Sequence, residues 1–254
     1  MGRSIVVTSG KGGTGKTTLT AGVASCLAAL GHRVVCVDAD VGARNLDIAL
    51  AMSDDMTRSR DFSDVLAGHV VVESALVPHP RIARLSLLPG PMNRRAAEID
   101  AYGFKHLINR LTEACDFVLV DCCAGLEEGF VLATDACREA IVVATPDASS
   151  LRVAARATEL IGPDKDCQLV VNRVKPKLIA ADYAYNIDDI MDETGLPLLG
   201  LVPEDELIPV ALHTKVPLVV TGAKGAAGAM LRITRRLLGE QVPLIRMKQW
   251  KVEL

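Results

Sequence analysis

The sequence predicts an α/β fold: a single doubly wound, mostly parallel sheet of about seven or eight strands with helices on both faces. Three observations predict it. Short β-branched runs alternate with longer amphipathic segments along most of the chain. The first of these runs passes through a glycine-rich turn straight into a helical stretch. Half of the 254 residues are hydrophobic but only 3% are aromatic, so a sizeable core must be built mainly from Val, Leu, Ile and Ala.

The elements follow in order. Residues 4–8 form a first buried strand, and 16–30 the helix after it, which Gly31 stops. Residues 33–38 make a second strand and 85–88 a third, ended by Pro89-Gly90-Pro91. A helix over 101–114 leads to strands at 117–121 and 140–144. Strands at 169–172 and 198–202, with helices between them, precede a final Arg-ended helix at 225–238. Residues 44–84 are less regular, with 54–61 read as an exposed loop. No internal repeat or low-complexity tract divides the chain, so one domain is expected.

Composition narrows the function classes. A formal net charge of −3 argues against a strongly basic nucleic-acid binder. The seven cysteines form an odd set without a C-x-x-C pair, and Cys122 and Cys123 are adjacent, so a reducing, cytoplasmic setting without structural disulfides is expected. No apolar run approaches the ~18 residues of a membrane span.

Gly10, Lys11, Gly12, Gly13, Thr14, Gly15, Lys16 and Thr17 fit G-x-x-x-x-G-K-[ST] at every fixed position, with Thr18 following. Its glycines let successive backbone N–H groups turn toward one anion, and the helix starting near Lys16 adds its positive dipole end. Lys16 can reach β- and γ-phosphate oxygens, and the Thr17 hydroxyl can ligate Mg²⁺. A P-loop that binds ATP with Mg²⁺ is therefore expected. Asp38 and Asp40 sit at the end of the second strand, on the crevice that the P-loop should share, where two carboxylates could bind Mg²⁺ through water and orient the attacking water. Asp121 ends the apolar run Phe117–Val120 as a Walker B carboxylate that would hold the metal through water. At the base end, Asn172 and Arg173 close one strand, and Pro203, Glu204 and Asp205 follow the next. An amide such as that of Asn172 can pair with the edge of adenine.

Lys11 is not part of the general motif. With it, the turn resembles the deviant Walker A motif of the MinD/ParA family of P-loop ATPases, and the likeness runs from Ile5 to about Pro243. It includes Arg44-Asn45-Leu46-Asp47, Gly125–Phe130 and Val143–Pro146, and is nearer the MinD branch than the plasmid ParA branch. The resemblance implies an ATP-dependent homodimer in which Lys11 reaches the partner's nucleotide, Asp40 positions the hydrolytic water and Asp38 assists the metal. It further implies that Gly125 offers its N–H to the γ-phosphate, and that the N-R and P-E-D segments frame adenine.

By the same resemblance, the chain would be a division-site switch meeting a protein regulator of the division inhibitor or activator type. It would be cytoplasmic, or peripheral on the inner face of an anionic membrane. A flagellar-number regulator and a DNA-segregation ATPase are the alternatives, the latter with Arg232, Arg235 and Arg236 as a modest basic surface. Three departures stand out. Cys123 occupies a position where relatives usually have proline, and Arg152-Val153-Ala154-Ala155-Arg156 lacks the acids usual there. Beyond the ATPase domain at 1–243, the tail at 244–254 is short. On a helix, its Met247, Trp250 and Leu254 would share one side, which leaves a membrane-contacting segment and a tail packed on the body both open.

Overall fold

Strand alternation explains how two cores form on one sheet. In the computed structural model, which describes residues 2–52, 59–222 and 224–244, β1 spans Arg3–Thr8 and is buried from Ser4 to Thr8. Ile5 and Val7 point to one face and Val6 to the other, as a period of two requires. The remaining strands are β2 (Val34–Ala39), β3 (Val77–Pro78), β4 (Leu85–Leu88), β5 (Phe117–Cys122), β6 (Glu139–Ala144), β7 (Asp166–Val174) and β8 (Leu198–Pro203). Their order across the sheet is β3-β4-β2-β5-β1-β6-β7-β8. Among the described residues, only the β3–β4 pair is antiparallel.

The helices among the described residues are α1 (Lys16–Ala29), α2 (Leu46–Ala49), α3 (Phe62–Leu66), α4 (Val72–Ala75), α5 (Ala101–Ala114), α6 (Glu128–Ala136), α7 (Ala148–Ile161), α8 (Pro176–Ala180), α9 (Ile187–Thr194), α10 (Leu207–Thr214) and α11 (Gly225–Leu237). One face of the sheet packs α1 and α11 through Leu19, Val23, Leu27, Met230 and Ile233. The other packs α5, α6, α7 and α9 through Phe104, Phe130, Ala154 and Ile190. Gly22 lets the two helices of the first face meet, because a Cβ there would collide with the Met230 sulfur.

The expected strands and long helices are all present, most shifted by a residue or two at their ends. β7 runs longer than expected, from Asp166 to Val174, so that the pair Asn172-Arg173, expected to close the strand, is followed by one more strand residue. The described residues of the irregular stretch 44–84 hold three short helices and the two-residue edge strand β3. Most of the loop expected at 54–61, and the tail beyond Leu244, lie outside the described residues. No described helix is long and apolar enough to cross a membrane.

Parallel strands bring all their carboxyl ends to one edge. Asp38 and Asp121 are register partners on neighbouring strands there, and Asp121 is also level with Val7, just before the glycine-rich turn. Charged groups far apart in sequence thus meet at a single crevice.

Candidate nucleotide site

The turn between β1 and α1 is shaped by positive φ at Gly10 (60°), Gly13 (77°) and Gly15 (92°). A Cβ at Gly15 would also collide with the Asn172 amide nitrogen, so the position needs both the conformation and the absence of a side chain. The Ser9 hydroxyl donates to the Lys11 carbonyl oxygen at 2.7 Å, which fixes the loop's entry. Lys16 opens α1, is 7% exposed, and its Nζ donates to that same carbonyl at 3.2 Å. A buried cation facing a cradle of backbone N–H groups at a helix N-terminus forms a strong anion site.

Two buried carboxylates face it. The Asp121 Oδ1 accepts from the Thr20 hydroxyl at 3.2 Å, while its Oδ2 is buried without a hydrogen-bond partner among the described residues. Burial pushes its pKa up to about 7, and Asp38 beside it adds to the shift; the Thr17 hydroxyl, Lys16 and Thr20 pull it back. An orphaned carboxylate oxygen beside a hydroxyl and a phosphate cradle fits a hydrated divalent cation. Thr17 and Asp121 are the residues that would hold Mg²⁺. No group of three or more His, Cys, Asp or Glu side chains among the described residues is arranged to cage a metal by itself.

Asp38 has a different set of contacts. Its Oδ1 accepts from the Asp40 N–H at 3.1 Å and its Oδ2 from the Leu46 N–H at 3.0 Å. It therefore pins both ends of the loop 40–46, and burial lifts its pKa to about 6. Asp40 is half-buried at the start of that loop. Burial raises its pKa too, while the Lys16 charge opposes the rise. The loop holds Arg44 at φ 42° and Gly42 at φ 91°, and the Gly42 N–H donates to the Pro91 carbonyl.

Gly125 lies in the turn after β5 with φ 93° and nothing crowding its α-carbon. Cys123 packs against α6, because a Cβ on Gly129 would meet its sulfur. The residue in the proline position is thus seated on a helix. Six of the seven cysteines are buried, and Cys123 is intermediate.

At the base end the predicted residues come together, with contacts the sequence did not suggest. The Asn172 Nδ2 donates to the Thr14 carbonyl at 2.7 Å, which uses one of its two amide hydrogens. Arg173, at φ 56°, makes a bidentate pair with Glu204 at 2.8 and 3.1 Å, and also donates to the Gly13 carbonyl at 3.3 Å. Pro203 ends β8, buried. Asp205 caps α11, accepting from the Ala226 N–H at 2.7 Å, and accepts from the Leu207 N–H at 2.9 Å with its other oxygen. The strand-end pair and the loop after β8 are therefore tied to the glycine-rich turn.

Sequence reasoning passed over two residues. Thr20 lies one helical turn after Lys16, a spacing that signals a shared face. Asp147 follows β6 at the same sheet edge and holds the Lys11 ammonium at 3.0 Å. The Thr145 hydroxyl and Ser150 N–H bond the same carboxylate at 2.6 and 2.9 Å.

A glycine-rich turn, a buried lysine and a strand-end carboxylate with a free oxygen at one sheet edge define a P-loop nucleotide-binding domain. Residues 5–218 match the family described as "CobQ/CobB/MinD/ParA nucleotide binding domain", and the chain belongs to it. It is 38% identical over 248 residues to the septum site-determining protein MinD of Synechocystis, covering 96% of this chain and 92% of that one. Its fold is similar to the MinC:MinD cell division protein complex of Aquifex aeolicus, with TM-score 0.88, 34% identity and coverage of 96% and 98%. The septum site-determining protein MinD complexed with Mg-ADP from Pyrococcus horikoshii gives TM-score 0.82 at 27% identity over the full length of both chains.

Proposed function

We propose that this chain is a Mg-dependent ATPase of the MinD type, a switch for placing the division site through ATP-regulated contact with a membrane. The observation that carries the reading is the convergence of Lys16, Thr17, Asp40 and Asp121 on one anion cradle, at the carboxyl ends of β1, β2 and β5. Mg-ADP in the Pyrococcus horikoshii protein and MinC in the Aquifex aeolicus complex point the same way.

Lys16 exchanges the Lys11 carbonyl for β- and γ-phosphate oxygens and stabilises charge that develops there. Bound Mg²⁺ would neutralise the phosphate oxygens, held by Thr17 directly and by Asp121 through water. Asp40, near enough to Lys16 to feel its charge, orients water for in-line attack. Asp38 assists by holding the loop that carries Asp40, a role that suits its backbone contacts better than direct metal ligation. Gly125, with nothing crowding its α-carbon, offers its N–H to the γ-phosphate. Asn172 meets adenine, and the Arg173–Glu204 pair joins the base end to the phosphate turn.

Two copies close face to face. Lys11 then leaves Asp147 for the partner's phosphates. Both side chains of that ion pair are partly exposed, 34% and 48%, and such pairs are worth only about 0–1 kcal/mol, so releasing Lys11 costs little. A regulator docks beside α7, where Arg152 is exposed and Arg156 is paired with Glu159 at 2.6 Å. The DNA-segregation alternative is weakened by what the α11 arginines do. Arg236 bonds the carbonyls of Leu198, Leu199 and Val242, and Arg232 bonds that of Gly228.

Asp40→Ala is expected to bind ATP with an affinity within a few-fold of the parent and to hydrolyse it at least about 10²-fold more slowly. ADP release at the full rate would remove Asp40 from the mechanism. Sedimentation with anionic vesicles tests the membrane limb. Binding should appear with ATP, vanish with ADP, and be lost on deletion of residues 244–254. No binding in any state would leave the ATPase standing and reject the membrane role.

A further inference from the structure

The Asp121 carboxylate is asymmetric in a way the Walker B pattern alone does not explain. Oδ2 is buried with no hydrogen-bond partner among the described residues, whereas Oδ1 accepts from Thr20 at 3.2 Å. Thr20 is itself fully buried, at 0% exposure, one turn into α1. Its hydroxyl lies 3.0 Å from the Lys16 carbonyl as well, a second place for its single proton.

We infer that Thr20 is a positioning residue: its hydroxyl takes up Oδ1 of Asp121 and so turns Oδ2 toward the metal. The argument is geometric. An aspartate terminus rotates broadly about its last torsion, so an Asp at a strand end does not present a given oxygen by backbone placement alone. β5 fixes where the carboxyl group sits, since Asp121 is in register with Val7 on one side and Asp38 on the other. It does not fix the rotation. A donor rigidly mounted on the helix that carries Lys16 and Thr17 does, and links the carboxylate's orientation to the phosphate cradle. Groups that orient metal-binding carboxylates commonly govern affinity by about 10- to 100-fold.

This inference rests on Asp121 serving the metal, and the test separates the two. Mn²⁺ replaces Mg²⁺, and free Mn²⁺ is followed by electron paramagnetic resonance during titration of the ADP-loaded protein. ADP affinity is measured separately in excess chelator. Thr20→Val keeps the side-chain shape and removes the hydroxyl. It should weaken Mn²⁺ binding about tenfold and leave chelator-measured ADP affinity within twofold of the parent. Thr20→Ser should restore Mn²⁺ binding to within about twofold. If Thr20→Val titrates like the parent while Asp121→Asn loses the ion, Thr20 does not position the carboxylate. An equal loss of ADP affinity in chelator, or no rescue by serine, would reduce Thr20 to a packing residue. If Asp121→Asn itself binds Mn²⁺ normally, the metal role of Asp121 fails and the inference falls with it.

Discussion

Lys16→Ala is expected to fold as the parent does and to lose about 10³-fold or more in ATP turnover, together with most of its nucleotide affinity. The two halves of this prediction come from the same geometry. Lys16 is 7% exposed, and its ammonium is held by the neutral Lys11 carbonyl. Truncating it removes the cost of burying a cation but also the positive charge that faces Asp40 and Asp121, and the two effects oppose each other. Melting temperature should therefore change little. A bound triphosphate tips the balance, because the ammonium then makes charge-assisted bonds worth about 1.5–3 kcal/mol each. Losing a single such donor to developing charge costs about 10²–10³ in rate, and Lys16 faces both β- and γ-oxygens. Calorimetry for ATP binding, a phosphate-release assay and a thermal melt check the three parts. Normal turnover in the variant would remove the glycine-rich turn from the chemistry altogether.

The parts of this site that were legible in the sequence are those whose physics is local. The turn from Gly10 to Thr18 needs positive φ and close N–H groups from consecutive residues, and glycines at fixed offsets record both. Helix α5 was read to the residue because its polar and apolar positions alternate with the helical period and Asp100 caps it, accepting from the Tyr102 N–H. β4 was likewise read to the residue, a short apolar run before Pro89.

What escaped depends on pairings between distant segments. Lys11 meets Asp147 across 136 residues, and Arg173 reaches the Gly13 carbonyl across 160. The resemblance places Asp205 beside adenine, and what it does not show is that the carboxylate caps a helix that starts twenty residues later. Asp38 was read as a metal assistant, whereas its visible bonds organise the loop of Asp40. In each case the residue was placed at the right edge of the sheet and its partner was not. The edge follows from the parallel direction of the strands, which the alternation of strands and helices along the chain encodes. Side-chain partners are decided by the register between elements, as with Asp38 and Asp121, whose strands are separated by nearly eighty residues of chain. Edge strand β3 is two residues long and contains a proline, so it has no periodicity to read.

That cross-strand pair produces the second large effect, one whose sign differs between the empty and loaded protein. Asp121→Asn is expected to stabilise the metal-free protein near pH 8 and to abolish most of its Mg²⁺-dependent activity. Burial raises the folded-state pKa of Asp121 to about 7, with Asp38 contributing, against about 3.9 in an unfolded chain. The folded protein thus binds more protons than the unfolded one between these values, and stability falls as pH rises from about 4 to about 7. Above that window the full cost of ionising a buried carboxylate that Thr17, Lys16 and Thr20 offset only in part is present. At about 1.4 kcal/mol per pKa unit this amounts to about 4 kcal/mol, which the neutral amide of similar shape avoids. For a chain of this size the gain corresponds to a rise of several degrees in melting temperature. Near pH 4 the parent carboxyl is already protonated and the two proteins should melt together. Mg²⁺ with ADP should invert the order, because ligand that binds only the folded parent adds stability by mass action and the amide cannot hold the ion equally well. Melting curves at pH 4, 6 and 8, with and without Mg-ADP, check the crossing. A variant that melts below the parent in metal-free buffer at pH 8 would mean that Oδ2 is compensated from within the protein, and the case for a cation at that oxygen would lose its structural basis.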